Sequence, residues 1–191
     1  QISRPFDVVC GVPQGSVLSP YLYSMFIDDL IPALQAACPG VKLAGLEVHG
    51  ALYADDIAAI AETPEQLQTV LDAAEEHSVT NGYKFNVGKC AAFLPDGSTV
   101  SLYDQPIPVV KTFKYLGVQF GPQGILHSDH LRSLAASGMK ALAGVTRLLV
   151  HKKIGPLTKL AIYRIFVRPV MEYGLQLTKP LGTGLALIEK V

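Results

Sequence analysis

Asp55 and Asp56 are adjacent carboxylates between two short apolar runs, and their chemistry is the easiest in this sequence to specify. Carboxylate oxygens suit hard divalent cations such as Mg²⁺ or Mn²⁺, so one interpretation of the pair is a metal site. The other interpretation is an ordinary polar turn, because aspartate is common in turns. Both place the pair at the turn of a hairpin formed by the flanking apolar runs.

A second aspartate pair, Asp28-Asp29, lies in a segment whose apolar residues recur at helical spacing. Two adjacent residues of a helix do not share a face, which disfavours a joint metal site there, although a site role is the alternative. We interpret this pair as solvated charge at the edge or the end of a helix.

The elements around these residues follow an order that is readable from the sequence. Residues 11–20 contain two Gly and two Pro and predict a loop. Residues 21–37 predict a buried helix, with Ser19 as its N-cap and Pro20 at its first position. The apolar residues that suggest its burial are Leu22, Met25, Phe26, Leu30 and Ala33.

A second helix follows the predicted hairpin. Thr63 and Gln66 have the spacing of a capping box, and Asn81-Gly82 is a stop signal. Residues 83–120 predict short strands and turns, and residues 129–150 and 156–167 predict helices. The pattern is α+β followed by an all-helical tail.

The composition excludes several classes of protein. Half of the 191 residues are hydrophobic (49%), so the chain is not intrinsically disordered. No apolar run reaches the roughly 18 residues of a membrane span. The chain has three cysteines and no CxxC pair, which disfavours a disulfide framework or a zinc site. A reducing compartment is therefore expected.

The formal net charge of zero conceals a segregation of charge. Residues 1–105 contain 4 basic and 13 acidic residues, whereas residues 106–191 contain 12 basic and 3 acidic ones. In the predicted helix from Asp129, the residues Arg132, Lys140 and Arg147 fall within about 80° of one another. A basic stripe of this kind fits a phosphate backbone, and a merely solvated helix face is the alternative.

Four motifs in a fixed order carry a family resemblance. They are Gly11-Val12-Pro13-Gln14-Gly15-Ser16-Val17-Leu18-Ser19-Pro20, then Tyr53-Ala54-Asp55-Asp56, then Gly82-Tyr83-Lys84-Phe85-Asn86 with Lys89, and finally Lys114-Tyr115-Leu116-Gly117-Val118. Together they resemble the reverse transcriptase domain of non-LTR (LINE-type) retrotransposons. The resemblance covers about residues 8–120, and the tail is similar to the thumb of that family.

The resemblance implies a fold and an activity. The fold would be α+β, with a partial right-hand polymerase palm over residues 1–122 (an antiparallel sheet with helices on one face) and a helical thumb over residues 123–191. The activity would be that of an RNA-directed DNA polymerase, a transferase that adds nucleotides from dNTPs to a primer 3′-hydroxyl with two metal ions, Mg²⁺ or Mn²⁺. The alternative is a non-catalytic nucleic-acid-binding remnant of a decayed or domesticated retroelement.

The resemblance also implies residue roles. Asp55 and Asp56 would be the catalytic, metal-binding residues. The nucleotide- and template-binding residues would be Pro13, Gln14, Gly15, Ser16, Tyr53, Ala54, Lys84 and Lys89, with a surface charge as the alternative for either lysine. The primer grip would be Tyr115, Leu116 and Gly117. The nucleic-acid backbone would lie against Arg132, Lys140, Arg147, Lys152 and Lys153.

One expected component is not found in this sequence. The family's first catalytic aspartate lies on a strand well upstream of the residue 11–20 loop, and Asp7 is too close to that loop to replace it. We therefore expect the 191 residues alone not to polymerise DNA. The expected partners are an RNA template, a DNA primer, dNTPs and the rest of a parent polyprotein, with no membrane. The expected location is intracellular, and nuclear if the source is a eukaryotic retrotransposon.

Overall fold

The structure is a computed structural model that describes residues 11–178. The chain divides into two compact units, Gln1–Val109 and Val110–Val191. In the described residues each unit combines helices with small antiparallel sheets. The mixed α+β class predicted from the sequence is therefore confirmed.

The first unit begins with two helices where the sequence predicted one. Helix α1 spans Ser19–Ile27 and helix α2 spans Leu30–Ala37, with the exposed Asp28-Asp29 pair between them. The break lies four residues before Pro32, because the proline has no N–H to donate to the carbonyl of Asp28 and its ring crowds that carbonyl. The interpretation of this aspartate pair as helix-end charge is confirmed.

The expected cap of this segment is wrong, and the expected burial holds for Leu30 but is wrong for Leu22, Met25 and Phe26. Leu18 is the N-cap, and Ser19 lies in the helix, where its hydroxyl donates to the carbonyl of Pro13 at 2.6 Å. Ile27, Leu30 and Leu34 are buried, but Leu22, Met25 and Phe26 are exposed. Ile27 of α1 packs in one buried cluster with Leu30 and Leu34 of α2.

Two hairpins follow. Strands β1 (Val41–Leu43) and β2 (Leu46–Val48) form the first, and strands β3 (Gly50–Tyr53) and β4 (Asp56–Ala59) form the second. The pairing of β3 with β4 is antiparallel, with Gly50 opposite Ala59 and Tyr53 opposite Asp56. The hairpin predicted around the Asp55-Asp56 pair is confirmed.

Helix α3 (Pro64–Thr80) supports this hairpin from one side. The Oγ1 of its N-cap Thr63 accepts from the N–H of Gln66 at 3.2 Å, and the Gln66 side chain accepts from the N–H of Glu62 at 3.2 Å. The predicted capping box is thus confirmed, with the return bond one residue earlier than usual. The helix ends before Asn81 and Gly82, and Gly82 adopts a φ of +71°.

Two apolar clusters lie on either side of α3. In the first, Val70 and Ala74 pack with Ile27, Leu30 and Leu34. Side chains of the β3–β4 hairpin, Leu52, Ile57 and Ala59, also pack against this cluster. The hairpin that carries the aspartates is therefore fixed by the α2–α3 core.

The second cluster joins α3 to the remainder of the first unit. This part contains a short 3-10 helix (Val87–Lys89) and strands β5 (Ser101–Leu102) and β6 (Gln105–Pro106). The buried members of the second cluster are Val87, Ala92, Val100, Leu102 and Ile107, and Leu67 and Leu71 of α3 pack against them. A turn lies at Asp96-Gly97, where Gly97 has a φ of +83°.

The second unit is a small sheet with helices. Strands β7 (Phe113–Tyr115), β8 (Val118–Gly121) and β9 (Gly124–Ile125) form it, in the order β7-β8-β9. The helices are α4 (His127–Leu149), α5 (Pro156–Phe166) and α6 (Arg168–Glu172), followed by a 3-10 turn at Leu175–Leu177. Helix α4 contacts α5, α6 and β8. The two long helices lie where the sequence predicted them.

The strands of the described residues differ from the single palm sheet that was expected. They form four separate sheets of two or three strands, and each strand pairs with a neighbour in sequence. Strands of two to four residues are too short to present a long edge for pairing. Within residues 11–178, no helix is long and apolar enough to cross a membrane.

Candidate active site

The Asp55-Asp56 pair lies at the tip of the β3–β4 hairpin. Tyr53 pairs with Asp56, so Ala54 and Asp55 form the two-residue turn. Ala54 has a φ of +51°, a left-handed conformation that costs an alanine about 1 kcal/mol. Such strain is typical of functional turns, where the surrounding structure holds an unfavourable backbone.

The turn presents both carboxylates to solvent. Tyr53, Ala54, Asp55 and Asp56 are all exposed, whereas Leu52 and Ile57 behind them are half-buried against the core. Within the described part of the chain, neither carboxylate forms an ion pair with a lysine or an arginine. The two negative charges are therefore available to an external cation.

Helix α1 reaches the same turn. Burial raises the pKa of the Tyr23 phenol above its ordinary value, and the negative charge of Asp55 raises it further. Tyr23 packs against the same apolar core as Leu52 and Ile57 of the hairpin. This shared core thus places α1, which follows the loop of residues 11–18, beside the aspartate hairpin.

That loop is compact and open to solvent. The N–H of Ser16 donates to the carbonyl of Pro13 at 3.3 Å, and Ser19 bonds the same carbonyl. Gly15 has a φ of +87°, and a Cβ added there would have no neighbour within 4 Å. The side chain of Gln14 and the backbone around Gly15 are accordingly exposed, with room for a ligand to approach.

The donor set of the turn fits part of a divalent cation site. Two carboxylates supply hard oxygens of the kind that Mg²⁺ and Mn²⁺ prefer. However, residues 11–178 contain no group of three or more His, Cys, Asp or Glu side chains placed to hold a metal ion. A complete site would therefore need ligands in addition to Asp55 and Asp56.

The two candidate lysines do not form their described contacts with the aspartate carboxylates. The Nζ of Lys84 lies 4.8 Å from the centre of the Tyr103 ring, a cation–π contact. Lys89 ends the 3-10 helix Val87–Lys89 and is exposed. In the described residues neither lysine forms an ion pair with Asp55 or Asp56.

Tyr103 is a residue that the sequence analysis did not single out. Its hydroxyl bonds the Ser78 hydroxyl at 2.5 Å and accepts from the N–H of Phe85 at 3.1 Å. Its own N–H donates to the Glu75 carboxylate at 2.5 Å. Tyr103 thus holds the segment that carries Lys84 against α3, and no spacing in the sequence reveals this long-range network.

The second unit contains the candidate primer grip. Leu116 and Gly117 form the turn between β7 and β8, with φ values of +44° and +81°. The ring of Tyr115 packs edge-on against Phe120, with the ring centres 6.5 Å apart. Tyr173 donates its hydroxyl hydrogen to the carbonyl of Leu116 at 2.8 Å.

The basic residues of α4 lie on its exposed side. Arg132, Lys140 and Arg147 are exposed, as are Lys152 and Lys153 beyond the helix. The buried side of α4 consists of His130, Leu131, Leu134, Ala135 and Gly138. Arg132 pairs with Asp129 at 3.5 Å, but both side chains are more than half exposed, so the pair is weak and the guanidinium can exchange to a phosphate.

His130 is a second residue whose role the sequence analysis missed. Its side chain is 0% exposed, and its Nε2 lies 3.2 Å from the carbonyl oxygen of Tyr173. The available signal was its spacing of four residues from Leu134 and eight from Gly138, which places it on the apolar face.

Comparison with known proteins gives a consistent family. Residues 1–120 match the family described as reverse transcriptase (RNA-dependent DNA polymerase). The chain is 35% identical over 181 residues to "RNA-directed DNA polymerase from mobile element jockey" of Drosophila funebris, an alignment that covers 88% of this chain and 19% of that protein.

Two further relatives agree with this family. The jockey protein of Drosophila melanogaster is 29% identical, over 88% of this chain and 19% of that protein. A "Retrovirus-related Pol polyprotein from type-1 retrotransposable element R2" of Popillia japonica is 26% identical, over 87% of this chain and 28% of that protein. The chain thus spans 19–28% of the length of these relatives.

Proposed function

The chain belongs to the reverse transcriptase (RNA-dependent DNA polymerase) family, with relatives from non-LTR, LINE-type retrotransposons, and from this premise we propose that it forms part of the catalytic domain of an RNA-directed DNA polymerase. The observation that carries the proposal is the Asp55-Asp56 pair. Both carboxylates are exposed on a strained turn, beside a helix that begins at an open Gly15-containing loop.

Asp55 and Asp56 are the proposed metal ligands. When bound, two Mg²⁺ or Mn²⁺ ions would supply Lewis-acid activation of the primer 3′-hydroxyl and neutralisation of the leaving pyrophosphate. The chain's own contribution is to hold the two carboxylates outward on the fixed β3–β4 hairpin. We propose that Asp55 is the principal ligand, because it occupies the turn itself, and that Asp56 supports it.

The loop of residues 13–16 is the proposed surface for the incoming nucleotide and the template base. Gln14 offers one side-chain donor and one acceptor face, and Gly15 allows close approach of backbone to ligand. Tyr53 and Ala54 would lie near the primer terminus, since they adjoin the aspartates. Lys84 and Lys89 remain candidates for the triphosphate, and Lys84 would have to leave the ring of Tyr103 to reach it.

The second unit is the proposed primer- and duplex-binding part. The turn of Tyr115, Leu116 and Gly117 would hold the primer strand. The exposed basic side of α4, with Lys152 and Lys153, would lie along the phosphate backbone, where each neutralised phosphate makes binding more dependent on salt. In this proposal residues 1–122 form a partial palm, which includes the β7–β8 hairpin, and residues 123–191 form a helical thumb.

We propose further that the chain acts as part of a longer polypeptide. The alignments cover only 19% and 28% of two of these relatives, and a complete metal site needs ligands beyond those of residues 11–178. The 191 residues alone are therefore expected to bind primed template without extending it. A nuclear location, which would follow from a eukaryotic source, belongs to the same proposal.

Primer extension tests the polymerase proposal. The polypeptide as encoded in its natural reading frame is incubated with a primed RNA template, dNTPs and Mg²⁺, beside its Asp55→Asn variant and a matched Asp28→Asn control. Extension by the wild type and by Asp28→Asn, with loss of at least a hundredfold in Asp55→Asn, is expected for loss of a metal ligand. Equal extension by all three would contradict the assignment. The same assay with the 191 residues is expected to give none.

A further inference from the structure

The β7–β8 turn has a partner that the proposed function does not explain. The phenol of Tyr173 donates to the carbonyl of Leu116 at 2.8 Å, across 57 residues of sequence. The Tyr173 ring also covers Gly117: a Cβ added there would lie 2.6 Å from Cε1 of the ring. One side chain therefore contacts both residues of the turn.

The turn needs such a partner because its backbone is unfavourable. Leu116 has a φ of +44°, a left-handed conformation that a branched apolar residue seldom adopts. The carbonyl at the tip of a two-residue turn ordinarily faces water, and here it accepts a hydrogen bond from the protein instead. The contact with Tyr173 thus selects one conformation of a turn that would otherwise have several.

Tyr173 is itself held in place from behind. Its carbonyl oxygen lies 3.2 Å from Nε2 of His130, and His130 is fully buried on α4. The next residue, Gly174, has a φ of +73° and packs so closely that a Cβ there would lie 3.0 Å from the same Nε2. A continuous path of contacts therefore runs from α4 through Tyr173 to Leu116.

We propose that Tyr173 is a positioning residue that fixes the Leu116-Gly117 turn, and so sets where the primer strand is held. The inference deepens the proposed function and rests on it, because the turn is assigned to the primer only there. The path through His130 also links the turn to α4, the helix whose opposite side carries the basic residues. Displacement of the turn would thus alter primer binding without altering the aspartate hairpin.

Amide hydrogen exchange tests the structural part in the 191-residue chain. Tyr173→Phe removes the hydroxyl and keeps the ring, and Tyr163→Phe on α5 is the matched control. Loss of one hydrogen bond is expected to speed exchange of the Val118 amide, which pairs with Tyr115 across the turn, about fivefold in Tyr173→Phe. Exchange equal to that of Tyr163→Phe would overturn the inference.

Steady-state extension tests the functional part in the polypeptide as encoded. Tyr173→Phe is expected to raise the KM for primed template about fivefold, while the KM for dNTP stays unchanged. A merely structural role would lower the active fraction and leave both KM values alone, and that result would overturn the inference.

A double-variant comparison adds a readout that depends on the contact itself. Gly117→Ala should be more damaging in the wild type than in Tyr173→Ala, because removal of the ring removes the clash at 2.6 Å. Purely additive effects would count against the contact. Failure of the wild type to extend any primer would refute the polymerase proposal, while faster exchange in Tyr173→Phe would still support the role of Tyr173 in fixing the turn.

Discussion

Replacement of Gly50 by alanine should open the hairpin that carries the aspartates. Gly50 is the first residue of β3 and pairs with Ala59. A Cβ on Gly50 would lie 2.5 Å from the carbonyl oxygen of Ala58, whereas ordinary contact begins near 3.4 Å. The obstacle is backbone and not the end of a flexible side chain, so the two strands must separate by about an ångström.

The magnitude follows in two ways. Separation of this size lengthens one or two hydrogen bonds of the β3–β4 ladder beyond bonding distance, and each contributes about 0.5–1.5 kcal/mol. Overpacking by one methyl group in a well-packed site costs about 1–3 kcal/mol. Both routes give about 2 kcal/mol for Gly50→Ala.

Gly88→Ala is the matched control in the same unit. A Cβ at Gly88 would meet only the Oδ1 of Asn86, at 3.4 Å, and its backbone is not in the left-handed region. We therefore expect the free energy of unfolding to change by less than about 0.5 kcal/mol.

Hydrogen exchange at one amide measures the local effect. The N–H of Ile60 donates to the carbonyl of His49 at 2.9 Å, directly beside Gly50. Destabilisation by about 2 kcal/mol should speed its exchange about 30-fold. Far-UV circular dichroism in urea should show a lower midpoint for Gly50→Ala alone. Equal exchange rates in Gly50→Ala and Gly88→Ala would refute the close approach.

Three further predictions concern the cap, the core and the basic face. Thr63→Ala should destabilise α3 by about 1 kcal/mol in urea unfolding, because the N–H of Gln66 loses its acceptor. Thr69→Ala, whose hydroxyl bonds the carbonyl of Glu65 within the helix, should cost less. Burial, with nearby Tyr103 and Tyr23, raises the pKa of Tyr83 to about 12. The contribution of Tyr83 to the free energy of unfolding should therefore be constant below pH 10 and fall between pH 10 and 12. A stability difference between wild type and Tyr83→Phe that stays constant across this window would contradict the prediction. Replacing the α4 cations together by glutamine should lower the slope of log affinity for primed template against log salt by about 2 to 3, and Lys42→Gln should leave it unchanged. The three cations are Arg132, Lys140 and Arg147.

Local signals in the sequence predicted the local structure well. The Thr63–Gln66 box, the Asn81-Gly82 stop and the apolar runs beside Asp55-Asp56 each act over a few residues, and each produced the expected element. The division between α1 and α2 was also encoded locally, because Pro32 removes a helical donor four residues after Asp28.

Long-range contacts could not be predicted in the same way. The exposure of Leu22, Met25 and Phe26 depends on which elements pack against α1, and helical periodicity alone does not decide that. The hydrogen bonds of Tyr103 and of Tyr173 join residues 18 to 57 positions apart. Tyrosine occurs at many surfaces, so its type gives no indication of such a partner.

In the candidate site, too, the features carried by neighbouring residues were predictable and the long-range contacts were not. Its motifs were recognisable because the chemistry of adjacent carboxylates and of a Gly-containing loop is written in neighbouring residues. The proximity of Tyr23 to Asp55, and the contact of Lys84 with Tyr103, became visible only in the folded chain. The structure therefore shows which helices and strands hold the motifs in place.

Binding of Mn²⁺ to the Asp55-Asp56 turn is the most direct test of the central claim that this turn is a metal site. Paramagnetic broadening of amide signals is measured as Mn²⁺ is added to the 191-residue chain and to Asp55→Asn. The exposed Asp28-Asp29 pair serves as an internal control, since it also has two adjacent carboxylates. We predict broadening concentrated on residues 53–57 that Asp55→Asn removes. Equal broadening at both aspartate pairs, or broadening that persists in Asp55→Asn, would contradict the claim.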